Sequence, residues 1–193
     1  MSNEYQVRVI TPPTIEPVSI TEAKRTLRVD HDVDDALISS LIVAARQEAE
    51  GLARRTFVNQ TLELSLAAWP GDDMIRLPMP PLVSVTSITY LSDANVSAVM
   101  PSADYIVIAD VEPGLITLAK DKTWPTGTLR SVLPIRVRYV AGYGASSASV
   151  PDRYKALILS LVAIRYEYRD DMTATAERML TNVRSALAME WGW

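Results

Sequence analysis

The chain has 193 residues, 48% hydrophobic and 22% charged, with no cysteine, one histidine and a formal net charge of −4. This is the composition of a folded protein with a sizeable core. It excludes disulfides and thiolate chemistry, and its acidic balance argues against a protein that grips nucleic acid over its surface.

The N-terminus, MSNEYQVRV, lacks the basic start and apolar run of a signal peptide, and no apolar run approaches the ~18–20 residues of a membrane span. In residues 1–18, Pro12, Pro13 and Pro17 forbid a regular helix. The segment reads as an extended N-terminal arm with a short strand at 6–10, or as a frayed terminus. Residues 19–29 (SITEAKRTLRV) open on a capping box, Ser19 with Glu22, and carry a small apolar stripe of Ile20, Ala23 and Leu27, so a short first helix is expected. His31 follows in a loop. As the only histidine in a chain without cysteine, it is a poor metal ligand.

Residues 32–56 predict a long second helix. Asp32 is its expected cap, and Asp34 and Asp35 place negative charge in the first turn. Leu37, Ile38, Leu41, Ile42, Ala45, Ala49 and Leu52 form one face, and Ser39, Arg46, Gln47, Glu50 and Arg54 the other. Ala45 and Ala49 let a partner helix approach closely, and residues 150–169 are the expected partner.

From 57 to 140 the period changes from helical to alternating. Strands are expected at 61–67, 74–77, 82–91, 105–108 and 115–118, and around Ile135, Val137 and Tyr139, which face in while Arg136 and Arg138 face out. The alternation of 82–91 slips near Thr86 and Ser87, as at a bulge. Short connections make the sheet mostly antiparallel.

Gly142-Tyr143-Gly144 leads into residues 150–169, apolar nearly all round: Leu157, Leu161, Ile164 and Tyr168 on one face, Ile158 and Val162 on a second, Leu159 and Tyr166 on a third. A helix of that kind is buried on several sides, so this one is read as the core, with Ser149 and Asp152 as its expected capping box. A last helix is expected over 175–190, with Met179, Leu180, Val183 and Leu187 inward. The fold class is therefore α+β: a bundle of about four helices (19–56 and 150–190) with a β-rich insertion (57–140) between the second and third helices. Residues 1–193 are expected to form a single domain.

Catalysis fails on inventory. A Ser/His/Asp or Cys/His site would need His31, which has no obvious partner. The pairs Asp34-Asp35, Asp72-Asp73 and Asp170-Asp171 are adjacent residues that do not converge, so a hydrolase reading ranks last. Gly142-Tyr143-Gly144 lacks the lysine of a phosphate loop and the spacing of a dinucleotide fold. No catalytic, metal or cofactor residue is assigned. Arg130, Arg136 and Arg138 form a basic stripe that reads as a solvated face, a subunit interface or a nucleic-acid-facing surface. Trp191 and Trp193 pack on their own subunit or on a partner protein.

Several runs together resemble a known family: Thr11-Pro12-Pro13, residues 16–29, 34–38 (DDALI), 60–64 (QTLEL), 77–90 (LPMPPLVSVTSITY) and 137–144 (VRYVAGYG), and Val150-Pro151 with Lys155-Ala156. The resemblance is to the head–tail connector (head-completion adaptor) proteins of long-tailed double-stranded DNA phages and prophages. It implies a structural virion protein with no catalytic residues, forming a homo-oligomeric ring, commonly twelvefold. The ring lies beneath the portal protein, meets the tail or a stopper protein on its other side, and lets double-stranded DNA pass without tight binding. It implies a place at the head–tail junction of the virion, assembly in the bacterial cytoplasm, a single connector domain, and no membrane or cofactor. In this frame Arg136, Arg138, Tyr166, Tyr168 and Arg169 are expected at the subunit interface, and Met189, Trp191 and Trp193 at the portal. After Arg169 the chain departs from the family pattern. The alternative reading is a DNA-binding or packaging accessory that uses the basic stripe.

Overall fold

The structure is a computed structural model that describes residues 5–169 and 173–189. The chain divides after residues 13, 58 and 143 into two compact units, one of strands and one of helices.

The first unit holds β1 (Tyr5–Thr11), β2 (Gln60–Leu66), β3 (Met74–Leu77), β4 (Leu82–Leu91), β5 (Ser97–Val99), β6 (Tyr105–Ile108), β7 (Gly114–Leu118) and β8 (Ile135–Ala141). They form a five-stranded sheet in the order β1-β2-β8-β4-β5 and a three-stranded sheet in the order β3-β7-β6. Every pairing is antiparallel, as expected, although only β4–β5 and β6–β7 are joined by short connections and the other four pair strands distant in the chain. The short strand expected at 6–10 is β1, and β3, β4 and β6 have the expected bounds. The bulge expected near Thr86 is the register slip between Val85 and Ser87, and a second lies between Leu82 and Ser84. β5 is additional. Alternation puts Leu62, Leu64, Ile88, Val137 and Tyr139 on one buried face, joined by Ile75, Leu77 and Ile116 of the smaller sheet. The Tyr139 hydroxyl donates to the Pro78 carbonyl at 2.8 Å, satisfying a polar tip that is otherwise buried. Gly114 is a packing requirement: a Cβ there would lie 2.5 Å from Leu82 Cβ.

The second unit holds α1 (Ile20–Leu27), α2 (Asp35–Ala53), α3 (Asp152–Glu167) and α4 (Ala174–Met189). α2 packs against the other three, and α3 also touches α1 and α4. Ala45 and Ala49 are fully buried, as a close helix contact needs. The α1 capping box forms: the Glu22 N–H donates to Ser19 Oγ at 3.2 Å, and the Ser19 N–H to Glu22 Oε2 at 2.7 Å. Ser19→Ala is therefore expected to cost about 1 kcal/mol. At roughly 2–4 °C per kcal/mol for a chain of this size, calorimetry should register that as a lowered Tm.

The other two expected caps do not form. Asp32 accepts from Lys24 Nζ at 2.6 Å, and α2 begins at Asp35 after Asp34, whose side chain makes no capping bond. Ser149 lies in a 3-10 turn (Ser147–Ser149), where its hydroxyl bonds that of Ser146 at 3.1 Å, so α3 starts only after Pro151. In α3 the buried stripe is Tyr154, Ile158, Leu161, Val162 and Tyr166, with Phe57 stacked on Tyr154 at 4.7 Å. Leu157, Leu159, Ile164 and Tyr168 are only half-buried in the isolated chain. In α4, Ala176, Leu180 and Leu187 are buried while Met179 faces solvent, a stripe rotated from the expected one. No helix among the described residues is long and apolar enough to cross a membrane.

Candidate functional site

The face of the five-stranded sheet opposite its apolar side carries the basic stripe. Antiparallel register puts Arg8, Glu63 and Arg138 in one cross-strand row over β1, β2 and β8. Side chains directly opposite on one face interact, and here they form a charge triad. Arg8 donates to Glu63 Oε1 at 2.5 Å and Arg138 to Oε2 at 2.9 Å. Two half-exposed guanidinium groups thus cover a carboxylate whose side chain is 2% exposed.

Burial pushes the Glu63 carboxyl up, but the bonds from Arg138 and Arg8 outweigh it and hold the group below its ordinary 4.5. A carboxyl lowered in the folded state adds stability above its unfolded pKa and loses it as pH falls through the folded value. Wild type is therefore expected to be more stable than Glu63→Gln at neutral pH, and the margin to shrink once the pH drops below about 4.5. Urea unfolding of both proteins down a pH series checks this, and a margin that grew on acidification would contradict it.

The neighbouring row, Gln6, Ser65, Arg136 and Thr89, contains no acid. Arg136 is half-buried and makes no ion pair among the described residues. Arg130 lies in the loop before β8, and its guanidinium folds onto the Val132 carbonyl at 3.0 and 3.2 Å. The expected stripe of three arginines is thus one cation bonded to its own loop, one neutralised by Glu63, and Arg136.

The end of α3 places the aromatic members of the expected interface. The Tyr166 hydroxyl donates to Asp34 Oδ2, and that bond raises its phenol pKa above the usual range. Arg169 lies 4.8 Å over the Tyr166 ring and donates to its carbonyl at 3.3 Å. Tyr166 is buried, Tyr168 half-buried and Arg169 exposed. One turn earlier, Arg165 donates to Glu48 Oε2, and Arg184 of α4 reaches Glu48 Oε1 at 2.6 Å, so a single acid on α2 ties α3 and α4 together. Met189 is 82% exposed, whereas Trp191 and Trp193 lie outside the described residues.

The aspartates do not converge. Asp34 serves Tyr166, Asp35 pairs with Lys24 at 2.8 Å, and Asp72 lies 3.4 Å from Arg76. Asp170 and Asp171 lie outside the described residues. Among the described residues, no group of three or more His, Cys, Asp or Glu could hold a metal ion. The sequence reading missed Arg8, Glu63 and Glu48. Arg8 and Glu63 each alternate with apolar neighbours on β-prone segments, but only the strand register makes them partners.

Residues 17–99 match the family model of phage gp6-like head-tail connector proteins. The match spans α1, α2 and β2 to β5, and contains most of the runs that carried the resemblance. No curated protein matches the chain. Solved structures share its fold. A chain of the virion of a native gene transfer agent particle is 22% identical, with a TM-score of 0.76 over 94% of both chains. A chain from the neck of an empty particle of that kind, computed with C6 symmetry, is 23% identical, with a TM-score of 0.75 over 93% of this chain and 95% of that one. A chain from the neck of the native particle, computed with C12 symmetry, is 22% identical, with a TM-score of 0.75 over 94% of both.

Proposed function

We propose, from the match of residues 17–99 to the model of phage gp6-like head-tail connector proteins, that this chain is one subunit of a structural ring in the neck of a phage-like particle. The observation that carries the reading is that this match falls within a fold shared over 94% of the chain with a protein from a C12-symmetric neck. The ring is twelvefold. It lies beneath the portal, joins the DNA-filled head to the tail or a stopper protein, and passes DNA through its centre. The role needs no catalysis. It places the chain at the head–tail junction after assembly in the bacterial cytoplasm, with the whole chain acting as one connector domain.

Physical chemistry supports the reading in two places. A ring gives each subunit two different neighbours through a heterologous interface, and α3 carries half-buried Leu157, Leu159 and Ile164 that such a neighbour can cover. We assign to the seam Arg136 and Arg138 on β8, and Tyr166, Tyr168 and Arg169 at the end of α3, where Arg169 rests on the Tyr166 ring. Tight DNA binding comes from phosphate neutralisation, and a net charge of −4 suits a channel through which DNA slides. The DNA-binding alternative is weaker, because Glu63 neutralises Arg138 and the stripe does not run on as three free cations.

Particles made without this chain are expected to stop as separate heads and tails, as electron microscopy of the lysate would show. Joined particles in normal yield would overturn the reading. We assign the portal contact to Met189, Trp191 and Trp193. Deleting residues 191–193 is expected to weaken binding to the portal ring about tenfold or more, in line with tryptophan hot spots, while leaving the Tm unchanged. Aggregation of the truncated protein would instead put the tryptophans in the core.

A further inference from the structure

The two sheets end on four edge strands: β1 and β5 bound the larger sheet, β3 and β6 the smaller. A free edge is a template for another strand, and soluble proteins guard edges with charge, proline or a cover. β1 carries Arg8, and β3 carries Arg76 with Pro78 directly beyond it. Residues 96–99 (VSAV) and 105–108 (YIVI) carry neither charge nor proline. Val96, Val99, Ile106 and Val107 are 64%, 62%, 51% and 36% exposed.

The ladders fix which backbone groups these edges present. The Ala119 N–H donates to the Asp104 carbonyl on the β6 side, and the Leu118 N–H to the Asp73 carbonyl on the β3 side. Alternate residues of β7 therefore bond to opposite neighbours. With Ile106 opposite Thr117 and Ile108 opposite Leu115, those are the hydrogen-bonded pairs of the β6–β7 hairpin. The N–H and C=O of Tyr105 and Val107 consequently point away from β7, to the open edge. The same logic holds for β5. Ser92 N–H bonds the Val96 carbonyl and Met100 N–H the Ile88 carbonyl, so Ala98 bonds to Tyr90, and Ser97 and Val99 turn their groups outward.

We propose that β6 of one copy pairs with β5 of the next copy around the ring, joining the smaller sheet of one subunit to the larger sheet of its neighbour. The inference rests on the ring reading above. The occupant is a second copy of this chain because the two edges complement each other. Each offers two outward residues spaced two apart, both are uncharged, and pairing them covers the four exposed apolar side chains. They are also different patches, as a heterologous contact requires.

The chain has no cysteine, so the pairing can be trapped. The pairing is antiparallel, like every other in the two sheets, so Ser97 bonds with Val107 and Val99 with Tyr105, and Ala98 stands opposite Ile106. The double variant Ala98→Cys/Ile106→Cys, oxidised in the full chain with the portal ring of its own particle, is expected to give a ladder of covalent multimers on non-reducing gels. Neither single variant should give the ladder. Ile106→Lys, at an exposed position, should keep the Tm and circular dichroism of wild type and lower ring yield at least tenfold. Rings that form without a ladder overturn the pairing and leave the ring reading intact. Dimers from Ile106→Cys alone overturn it in favour of a symmetric β6–β6 contact. A wild-type chain that forms no ring with the portal overturns both.

Discussion

Leu161→Asp is expected to leave no soluble folded protein. Leu161 is fully buried at the middle of α3, the helix that touches all three others in its unit. Of the described cations toward that end of the helix, Arg165 of α3 and Arg169 just beyond it are engaged by Glu48 and by the Tyr166 ring and carbonyl. Burying an unpaired carboxylate costs several kcal/mol even after relaxation, and the loss of the leucine's packing adds about 2–5 more. Together these rival the whole stability of a domain, about 5–15 kcal/mol. Leu161→Ala, which creates a cavity without a charge, should lose about 2–5 kcal/mol and still fold. Soluble yield and circular dichroism separate the two, and a soluble Leu161→Asp protein with a wild-type spectrum would contradict this placement of α3.

Arg46→Ala should be the next most damaging change. Arg46 is 4% exposed, donates to Glu16 at 2.7 Å and to Glu50 at 2.9 Å, and thereby ties the segment before α1 to α2. Glu50 is itself buried and also accepts the Phe57 N–H at 2.9 Å. Arg46→Ala takes from Glu16 and the buried Glu50 the guanidinium they share, and breaking a buried pair typically costs about 3–5 kcal/mol. For a chain of this size that corresponds to a drop in Tm of roughly 6–20 °C, readable by calorimetry, with a matching fall in the urea midpoint. Replacing Arg46 and Glu50 together by apolar residues should cost less than the sum of the single changes, because the two side chains bond each other and that bond is lost only once. A loss under about 1 kcal/mol from Arg46→Ala, the range of an exposed pair, would contradict the burial.

Arg46 and Glu50 also mark where the sequence stopped being informative. Their spacing groups them with Ser39, Gln47 and Arg54, which are exposed, yet Arg46 and Glu50 are buried, where Glu16 and the Phe57 N–H from other segments meet them. Local patterns were legible where local physics decides. The β3, β4 and β6 segments have the alternation, turn residues and β-branched content that a strand needs without help from neighbours, and the slip at Thr86 already disclosed the bulge. The α1 cap was legible because both of its partners lie within one turn. The caps assigned to Asp32 and Ser149 fail for the opposite reason: each side chain finds a better partner, Lys24 or Ser146. β5 is three residues with no periodicity to read, and exists only because β4 runs long enough to hold it. The outward direction of Arg136 and Arg138 was legible from alternation. The Glu63 that neutralises Arg138 was not, since it is 75 residues away and becomes a neighbour only through strand register.

A closed ring has a mass that no smaller assembly shares. Native mass measurement of the 21.3 kDa chain, alone and mixed with the portal ring of its own particle, should find a closed complex of twelve copies on the portal, the number of the C12-symmetric neck whose fold it shares. A chain that stays monomeric or dimeric in the presence of the portal would rule out the ring.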